Sequence, residues 1–308
     1  MSRYVLTIQS HVAYGFVGNS AAVFPLQLLG FSPIVVNTVE FSNHTGHPTF
    51  HGQVFTAELI RDIILGIRER GLMPKIEGLL SGYLGDASIC KIVLDLATEI
   101  KAANPDAIWL CDPVMGDTDT GVFVRPDIPQ FMKEHFLNGL ADMTKPNQFE
   151  LELLSGRKMR SRQETVDTAR ELFTDKGCRV TFVTSLLTPD VPEDTVETLA
   201  ITKDDAWVVR TPLVERKPTP NGQGDTFSSV ALGTYLKTKS AKDALEAAVN
   251  TLYGLVSHMD SGALDLPLID EQRQILSPEH RFEAFRCCVK ICIALKASIS
   301  EAFSLRPL

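Results

Sequence analysis

Residues Asn221, Gly222, Gln223, Gly224, Asp225, Thr226 and Phe227 place two glycines around one residue and a carboxylate directly behind them. The window over residues 226–237 follows, with Phe227, Val230, Ala231, Tyr235 and Leu236 close to a 3.6-residue spacing, which predicts a helix. Glycines let backbone amides approach a ligand with no Cβ in the way. Amides that open a helix are unsatisfied and carry the positive end of its macrodipole, so they suit an anion. Asp225, beside such a cradle, is placed to take a proton from an attacking hydroxyl. The plain alternative is a strand-to-helix turn with Asp225 as its N-cap. The spacing excludes a Walker A loop, because no Lys-Ser/Thr pair follows. It also excludes a dinucleotide fingerprint, because Phe227 stands where the third small residue belongs.

Further candidates are spread along the chain. Asp112 and Asp117 bracket a Pro-Val-Met-Gly turn, and two carboxylates near one rim suit hard cations with oxygen ligands. Asn147 and Glu150 are three apart and point from one face of a predicted helix start, where an early glutamate also suits simple capping. Thr184 and Ser185 end an apolar run. Ser10, Tyr83, Asp112, Asn147 and Thr184 all fall at or just past predicted strand ends, so a parallel sheet would gather them on one rim. His44, His47 and His51 invite a zinc reading, but Pro48 after His47 prevents a helix from aligning them. Cys288 and Cys292 share a predicted helical face with Phe285 and Val289, which favours packing over metal binding.

The elements that would position these residues alternate. Short apolar runs at 5–8, 33–39, 78–81, 108–111, around 143 and at 180–184 read as strands. Amphipathic windows at 20–29, 56–69, 87–103, 148–154 and 162–176 read as helices, and further helices are expected over 226–237 and 241–259. Residues 196–201 and 206–210 predict an antiparallel hairpin at the sheet edge. This order predicts an α/β fold with a mostly parallel central sheet in one domain spanning residues 1–308. A last helix is expected over 278–303, with Phe282, Phe285, Val289 and Ile293 on one face covering the core or facing a second copy.

The chain has 308 residues, 44% hydrophobic and 22% charged, ordinary values for a globular protein. A net charge of −8 argues against nucleic-acid or anionic-membrane partners, so an anionic ligand must be held by local groups. No stretch approaches the ~20 apolar residues of a membrane span, the N-terminus lacks a signal-peptide layout, and the six cysteines form no disulfide framework. A cytoplasmic protein with reduced thiols is expected.

The loop at 222–225 resembles the Gly-x-Gly-Asp motif of the ribokinase-like kinases. The resemblance sharpens to their pyridoxal kinase branch through Ser10-His11-Val12, Gly15-Phe16-Val17-Gly18-Asn19, Phe41-Ser42-Asn43-His44-Thr45-Gly46, Gly82-Tyr83, Cys111-Asp112-Pro113-Val114-Met115-Gly116-Asp117 and Pro146-Asn147-Gln148-Phe149-Glu150. It covers about residues 4–260. It implies a three-layer α-β-α ribokinase-like fold and an ATP-dependent kinase that phosphorylates the 5-hydroxymethyl group of pyridoxal, and also of pyridoxine and pyridoxamine, in vitamin B6 salvage. By this resemblance Asp225 is the base, and Gly222 and Gly224 with the Asp225 amide hold the transferring phosphoryl group. Asp117 lies near the nucleotide phosphates and Mg²⁺, Asp112 near a monovalent cation (K⁺ or Na⁺), and Glu150 is a water-mediated partner of the metal. Asn147, Thr184 and Ser185 belong to the ATP site, and residues 210–219 form part of the adenine pocket. Ser10 meets the pyridine nitrogen, Thr45 the ring hydroxyl or aldehyde side, Val17 and Phe41 supply apolar walls, Tyr83 a flat side, and His44 a ring contact. A homodimer is the family expectation.

Three residues depart from that pattern: Lys145 where threonine is usual, Phe123 where a tyrosine covers the substrate, and Gln223 where a small or hydroxyl residue is commoner. An inward Lys145 ammonium would occupy the space of the monovalent cation; an outward one would snorkel and leave only its backbone in play. A hydroxymethylpyrimidine kinase is the nearest rival, disfavoured by Val17 and the segment 41–45. A non-catalytic vitamer-binding protein is disfavoured by the intact loop with Asp112 and Asp117, since binding alone requires no base.

Overall fold

The structure, a computed structural model, describes residues 2–136 and 139–287. Its strands are β1 (Tyr4–Val12), β2 (Ser32–Phe41), β3 (Gly52–Val54), β4 (Ile76–Ser81), β5 (Ile108–Cys111), β6 (Gly116–Asp117), β7 (Gly121–Val122), β8 (Met143–Thr144), β9 (Val180–Leu186), β10 (Thr195–Ile201), β11 (Ala206–Pro212) and β12 (Phe285–Arg286). The helices are α1 (Asn19–Leu28), α2 (Ala57–Glu69), α3 (Ala87–Ala103), α4 (Asp127–Phe131), α5 (Gln148–Ser155), α6 (Arg162–Leu172), α7 (Gln223–Thr238), α8 (Ala241–Ser257) and α9 (Arg273–Leu276).

One ten-stranded sheet runs in the order β12-β11-β10-β9-β8-β5-β4-β1-β2-β3, while β6 and β7 form a separate small hairpin. The six strands from β9 to β2 are parallel, and both flanks are antiparallel. The expected hairpin is β10–β11, which pairs from Thr195↔Pro212 to Ile201↔Ala206 near the sheet edge. Parallel strands covered on both faces must be apolar on both. In β1, Leu6 and Ile8 face the layer of α2, α3, α5 and α6, whereas Val5 faces α1, α7 and α8. In β5, Trp109 and Cys111 face the first layer and Ile108 and Leu110 the second. The three layers of the expected architecture are therefore present.

The expected helix over 278–303 is corrected where the structure describes it. Residues 278–284 are irregular, Phe285–Arg286 adds a strand to β11, and residues 288–303 lie outside the described residues. The cause is tertiary. Asn250 on α8 takes over the backbone of Phe282, accepting from its N–H at 2.7 Å and donating to its carbonyl at 3.2 Å. The Phe282 ring packs edge-on against Tyr253 at 4.7 Å. A side chain that satisfies both backbone groups removes the reason for that residue to coil.

The rim carrying the C-terminal ends of the parallel strands is shaped by a slip in register. β1 and β2 pair Gln9 with Asn37 but His11 with Glu40, so Ser10 sits at an irregularity. Buried Asn19 compensates: its Nδ2 reaches the carbonyls of Val36 at 3.1 Å and Gln9 at 3.3 Å and Asn37 Oδ1 at 2.8 Å. Its Oδ1 accepts from Thr7 Oγ1 at 2.8 Å, and Thr7 in turn accepts from Gln9 Nε2 at 3.0 Å. Replacing Asn19 by leucine would strip partners from several buried polar groups. We expect Asn19→Leu to lose about 2–3 kcal/mol of stability in denaturant unfolding, since each orphaned group costs about 1–3 kcal/mol.

Candidate active site

Of the helices with eight or more residues, α2, α3, α5, α6 and α8 begin with a side-chain cap from Thr56, Asp86, Asn147, Ser161 and Ser240 respectively. The other two, α1 and α7, begin at Gly18 and Gly222 with no side-chain cap. Both open on the same rim. Asp225, in the first turn of α7, accepts a hydrogen bond from the Gly18 N–H at 2.8 Å through Oδ2. The alternative of Asp225 as the N-cap of α7 is excluded, because Gly222 holds that place. Its carboxylate points into the rim, toward β1 and α1.

Both cap glycines are dictated by close approach. At Gly222 (φ 77°) an added Cβ would lie 2.0 Å from the Phe16 carbonyl oxygen, and at Gly18 (φ 57°) 2.1 Å from the Ser10 carbonyl oxygen. The turn at 15–18 is thus wedged between Ser10 and the α7 loop. Asp265 secures its other side, accepting from the Phe16 N–H at 3.3 Å, while the Asn221 N–H donates to the Leu264 carbonyl at 2.7 Å.

Asp112 and Lys145 leave the adjacent regions of β5 and β8, and both are buried (2% and 6% exposed). The Lys145 Nζ lies 2.9 Å from Asp112 Oδ2, and Ser228 Oγ on α7 donates to the same oxygen at 3.0 Å. Of the two orientations open to Lys145, the inward one is found. A Cβ on Gly224 would stand 3.0 Å from the ammonium, so Gly224 lies against it. Burial works against the Lys145 charge, but Asp112, Glu150 and Asp225 outweigh it and hold its pKa above the ordinary lysine value. Burial pushes Asp112 up to about 6, moderated by Lys145. Burial also raises the Asp225 pKa, opposed by the Gly18 amide, Lys145 and His44.

Asn147 and Glu150 form a capping box. Asn147 Oδ1 accepts from the Glu150 N–H at 2.8 Å, and Glu150 Oε2 accepts from the Asn147 N–H at 2.9 Å. Glu150 Oε1 accepts from the Met115 N–H at 2.9 Å, and Asn147 Nδ2 donates to the Gly116 carbonyl at 2.8 Å. The pair therefore holds the loop between Asp112 and Asp117. Burial, and next Asp112, raise the Glu150 pKa to about 8. Asp117 turns its own loop, accepting through Oδ1 from the N–H groups of Asp119 and Thr120 at 2.9 and 2.7 Å. Thr184 donates its N–H to the Pro146 carbonyl at 3.1 Å, and Ser185 adopts φ 56°, a strained value for a non-glycine residue at a strand end.

Val17, next to Gly18, is buried, and Phe41 at the end of β2 packs edge-on against Phe50 at 5.2 Å. The half-buried His44 accepts from the Gly46 N–H at 3.1 Å through Nδ1, which places its proton on Nε2. Burial lowers its pKa, opposed by Asp225 and Asp265, so the ring is neutral near pH 7. Tyr83 is half-buried, while Thr45 and Phe123 are exposed.

The residues present fit Mg²⁺ in one mode. Among the described residues Asp112 Oδ1 is buried with no hydrogen-bond partner, and Asp117 makes its turn bonds through Oδ1. Among the described residues no three His, Cys, Asp or Glu side chains converge as a metal cage. One or two carboxylates completed by substrate phosphates is the arrangement Mg²⁺ favours. The Lys145 ammonium stands 2.9 Å from Asp112 Oδ2, which leaves only Oδ1 of that carboxylate open to an added cation.

Residues 53–265 match the Phosphomethylpyrimidine kinase family. The chain is 41% identical to pyridoxal kinase PdxY of Deinococcus radiodurans, over 93% of this chain and 97% of that protein. Among solved structures it superposes on pyridoxal kinase from Leishmania donovani in complex with ADP and pyridoxamine with a TM-score of 0.84, at 27% identity, over 93% of this chain and 100% of that one. Pyridoxal kinase from Entamoeba histolytica superposes equally well (TM-score 0.84, 25% identity, 93% and 100% covered). The fold and site are those of an α/β kinase of the ribokinase-like class. The chain belongs to the pyridoxal kinase family.

Residue-level reasoning missed the Gly18 amide on Asp225 and the brace from Asp265. The signal for the first was present in the glycine at 18, whose ψ of −132° at positive φ is open to little else. We expect Gly18→Ala and Gly222→Ala each to lose more than about 1 kcal/mol in thermal or denaturant unfolding, because a Cβ meets backbone at a strained φ. At Gly224, where φ is ordinary, an added Cβ meets side-chain atoms only, the Lys145 ammonium at 3.0 Å, so Gly224→Ala should lose less stability than either of these substitutions.

Proposed function

We propose that the protein transfers the γ-phosphoryl group of ATP to the 5-hydroxymethyl oxygen of pyridoxal, with pyridoxine and pyridoxamine as further acceptors. The observation that carries this reading is Asp225, held by the Gly18 amide at the uncapped N-terminus of α7, with the buried Asp112 and Lys145 and the half-buried His44 all near enough to act on its charge. Asp225 takes the hydroxyl proton as the hydroxymethyl oxygen bonds to the γ-phosphorus and the bond to the ADP oxygen breaks. Gly222, Gly224 and the Asp225 amide hold the charge on the phosphoryl oxygens, since preorganised donors act where charge develops. Burial that raises the Asp225 pKa makes it a better proton acceptor than an exposed aspartate.

Ser10, Val17, Phe41, His44, Thr45 and Tyr83 bind the vitamer ring, and a neutral His44 can both donate and accept toward its polar edge. Asp117, Asn147, Glu150, Thr184 and Ser185 form the nucleotide side, with Asn147 and Glu150 acting through the loop they hold. Mg²⁺ bound with ATP neutralises phosphate charge, and Asp112 Oδ1 and Asp117 are the carboxylates that would hold it, with Glu150 an indirect partner. The ADP complexes of the Leishmania relative support the nucleotide reading. On the same family grounds the protein works as a cytoplasmic homodimer.

Phosphate transfer from ATP to each B6 vitamer and to hydroxymethylpyrimidine tests the reading, with Asp225→Asn beside wild type. We expect pyridoxal to be the best acceptor. In Asp225→Asn, kcat should fall roughly 10²-fold or more with KM largely kept. The acid limb of kcat/KM should lie above the ordinary aspartate range, because the base must be ionised and its pKa is raised, and Asp225→Asn should abolish that limb. Preference for hydroxymethylpyrimidine, or an undiminished Asp225→Asn, would overturn the assignment.

A further inference from the structure

We propose that the Lys145 ammonium is a built-in positioning cation: it balances Asp112 from within the chain and braces the start of α7, so the site runs without a free monovalent cation. The inference rests on the kinase reading only for its rate measurement.

The sheet itself sets this charge in place. Lys145 follows β8, and its N–H donates to the Cys111 carbonyl at 3.2 Å, on the strand that delivers Asp112. The Asp112 N–H is tied to the Ser81 carbonyl at 2.9 Å. Carboxylate and ammonium therefore leave adjoining backbones locked in register, and their side chains meet at 2.9 Å. Both are more than nine-tenths buried, so neither can turn to solvent for its counter-charge. A buried carboxylate without a partner is strongly disfavoured, and a lysine side chain brings one permanently, with no binding step.

The pair also reaches the chemistry. Ser228 Oγ donates to the Asp112 oxygen that Lys145 contacts, and Ser228 sits one helical turn beyond Gly224 and three residues after Asp225. From the other side Gly224 rests against the ammonium, near enough that a Cβ would come to 3.0 Å. Two residues of the first turns of α7 thus bear on one buried ion pair. Removing the ammonium leaves Asp112 uncompensated beneath the glycine turn and opens a small acid-lined space. A small monovalent cation could enter that space; tetramethylammonium is too bulky.

The test compares wild type, Lys145→Thr and Lys145→Met in buffers of equal ionic strength whose only monovalent cation is tetramethylammonium, ammonium or potassium. ATP-dependent phosphorylation of pyridoxal and melting temperature are read in each. Wild type should show rates within about twofold in all three buffers and melting that is indifferent to the choice of cation. Lys145→Thr should lose at least roughly tenfold in kcat in tetramethylammonium and regain most of it in ammonium or potassium, with a matching rise in melting temperature. Lys145→Met fills the space without charge, so its loss should persist in every buffer. Strong potassium activation of wild type, or a Lys145→Thr enzyme fully active in tetramethylammonium, would sink the proposal. If no form phosphorylates pyridoxal, the kinase reading fails while the melting series still decides: a gain in ammonium and potassium over tetramethylammonium that is confined to Lys145→Thr supports the resident cation, and equal shifts in wild type refute it. Should Lys145→Thr fail to fold, the wild-type series and Lys145→Met decide between the same two outcomes.

Discussion

The 2.8 Å hydrogen bond from the Gly18 amide to Asp225 joins two turns 207 residues apart in sequence. Each turn opens a helix that no side chain caps, so each presents backbone N–H groups to the same space. The bond sets the Asp225 side chain, and it forms only if the 15–18 turn lies against both Ser10 and the 221–224 loop. The two glycines make that approach sterically possible, since a Cβ at either would press on a carbonyl oxygen at about 2 Å. A site for transferring an anionic group from one ligand to another needs both halves held at fixed distance, because small misplacements of reacting atoms cost large factors in rate.

Charge imposes the second constraint. Asp112, Glu150 and Asp225 are all raised in pKa chiefly by burial, and Lys145 moderates each of them. Glu150 has both oxygens on backbone amides and supports the acidic loop. Asp112 keeps one oxygen for Lys145 and Ser228, and its other oxygen has no partner among the described residues. Asp117 stays nearer solvent, where it shapes a turn. Acids of one composition thus take up different work according to which hydrogen bonds and counter-charges their strands deliver.

Much of this was readable in the order of residues. Apolar runs bounded by turns marked the parallel strands, and α3 begins and ends at the predicted residues 87–103 because its apolar spacing and its Asp86 cap agree. The hairpin β10–β11 followed from two apolar runs around a charged turn. The glycine loop announced itself through residue type alone. By contrast, Phe282 and Phe285 keep helical spacing yet lie in an irregular segment and the short strand after it, because Asn250, far away in sequence, satisfies the Phe282 backbone that a helix would have satisfied locally.

Local pattern determined the elements, the layer order and the set of polar residues that a parallel sheet must bring to one rim, since hydrophobic periodicity and glycine geometry act over a few residues. Only the packed structure decided which rim residues touch. The inward turn of Lys145 depends on the register of β5 against β8, and the amide that holds Asp225 depends on α1 meeting α7. Both are choices between a buried partner and solvent, and the balance is struck by contacts among strands and helices remote in sequence.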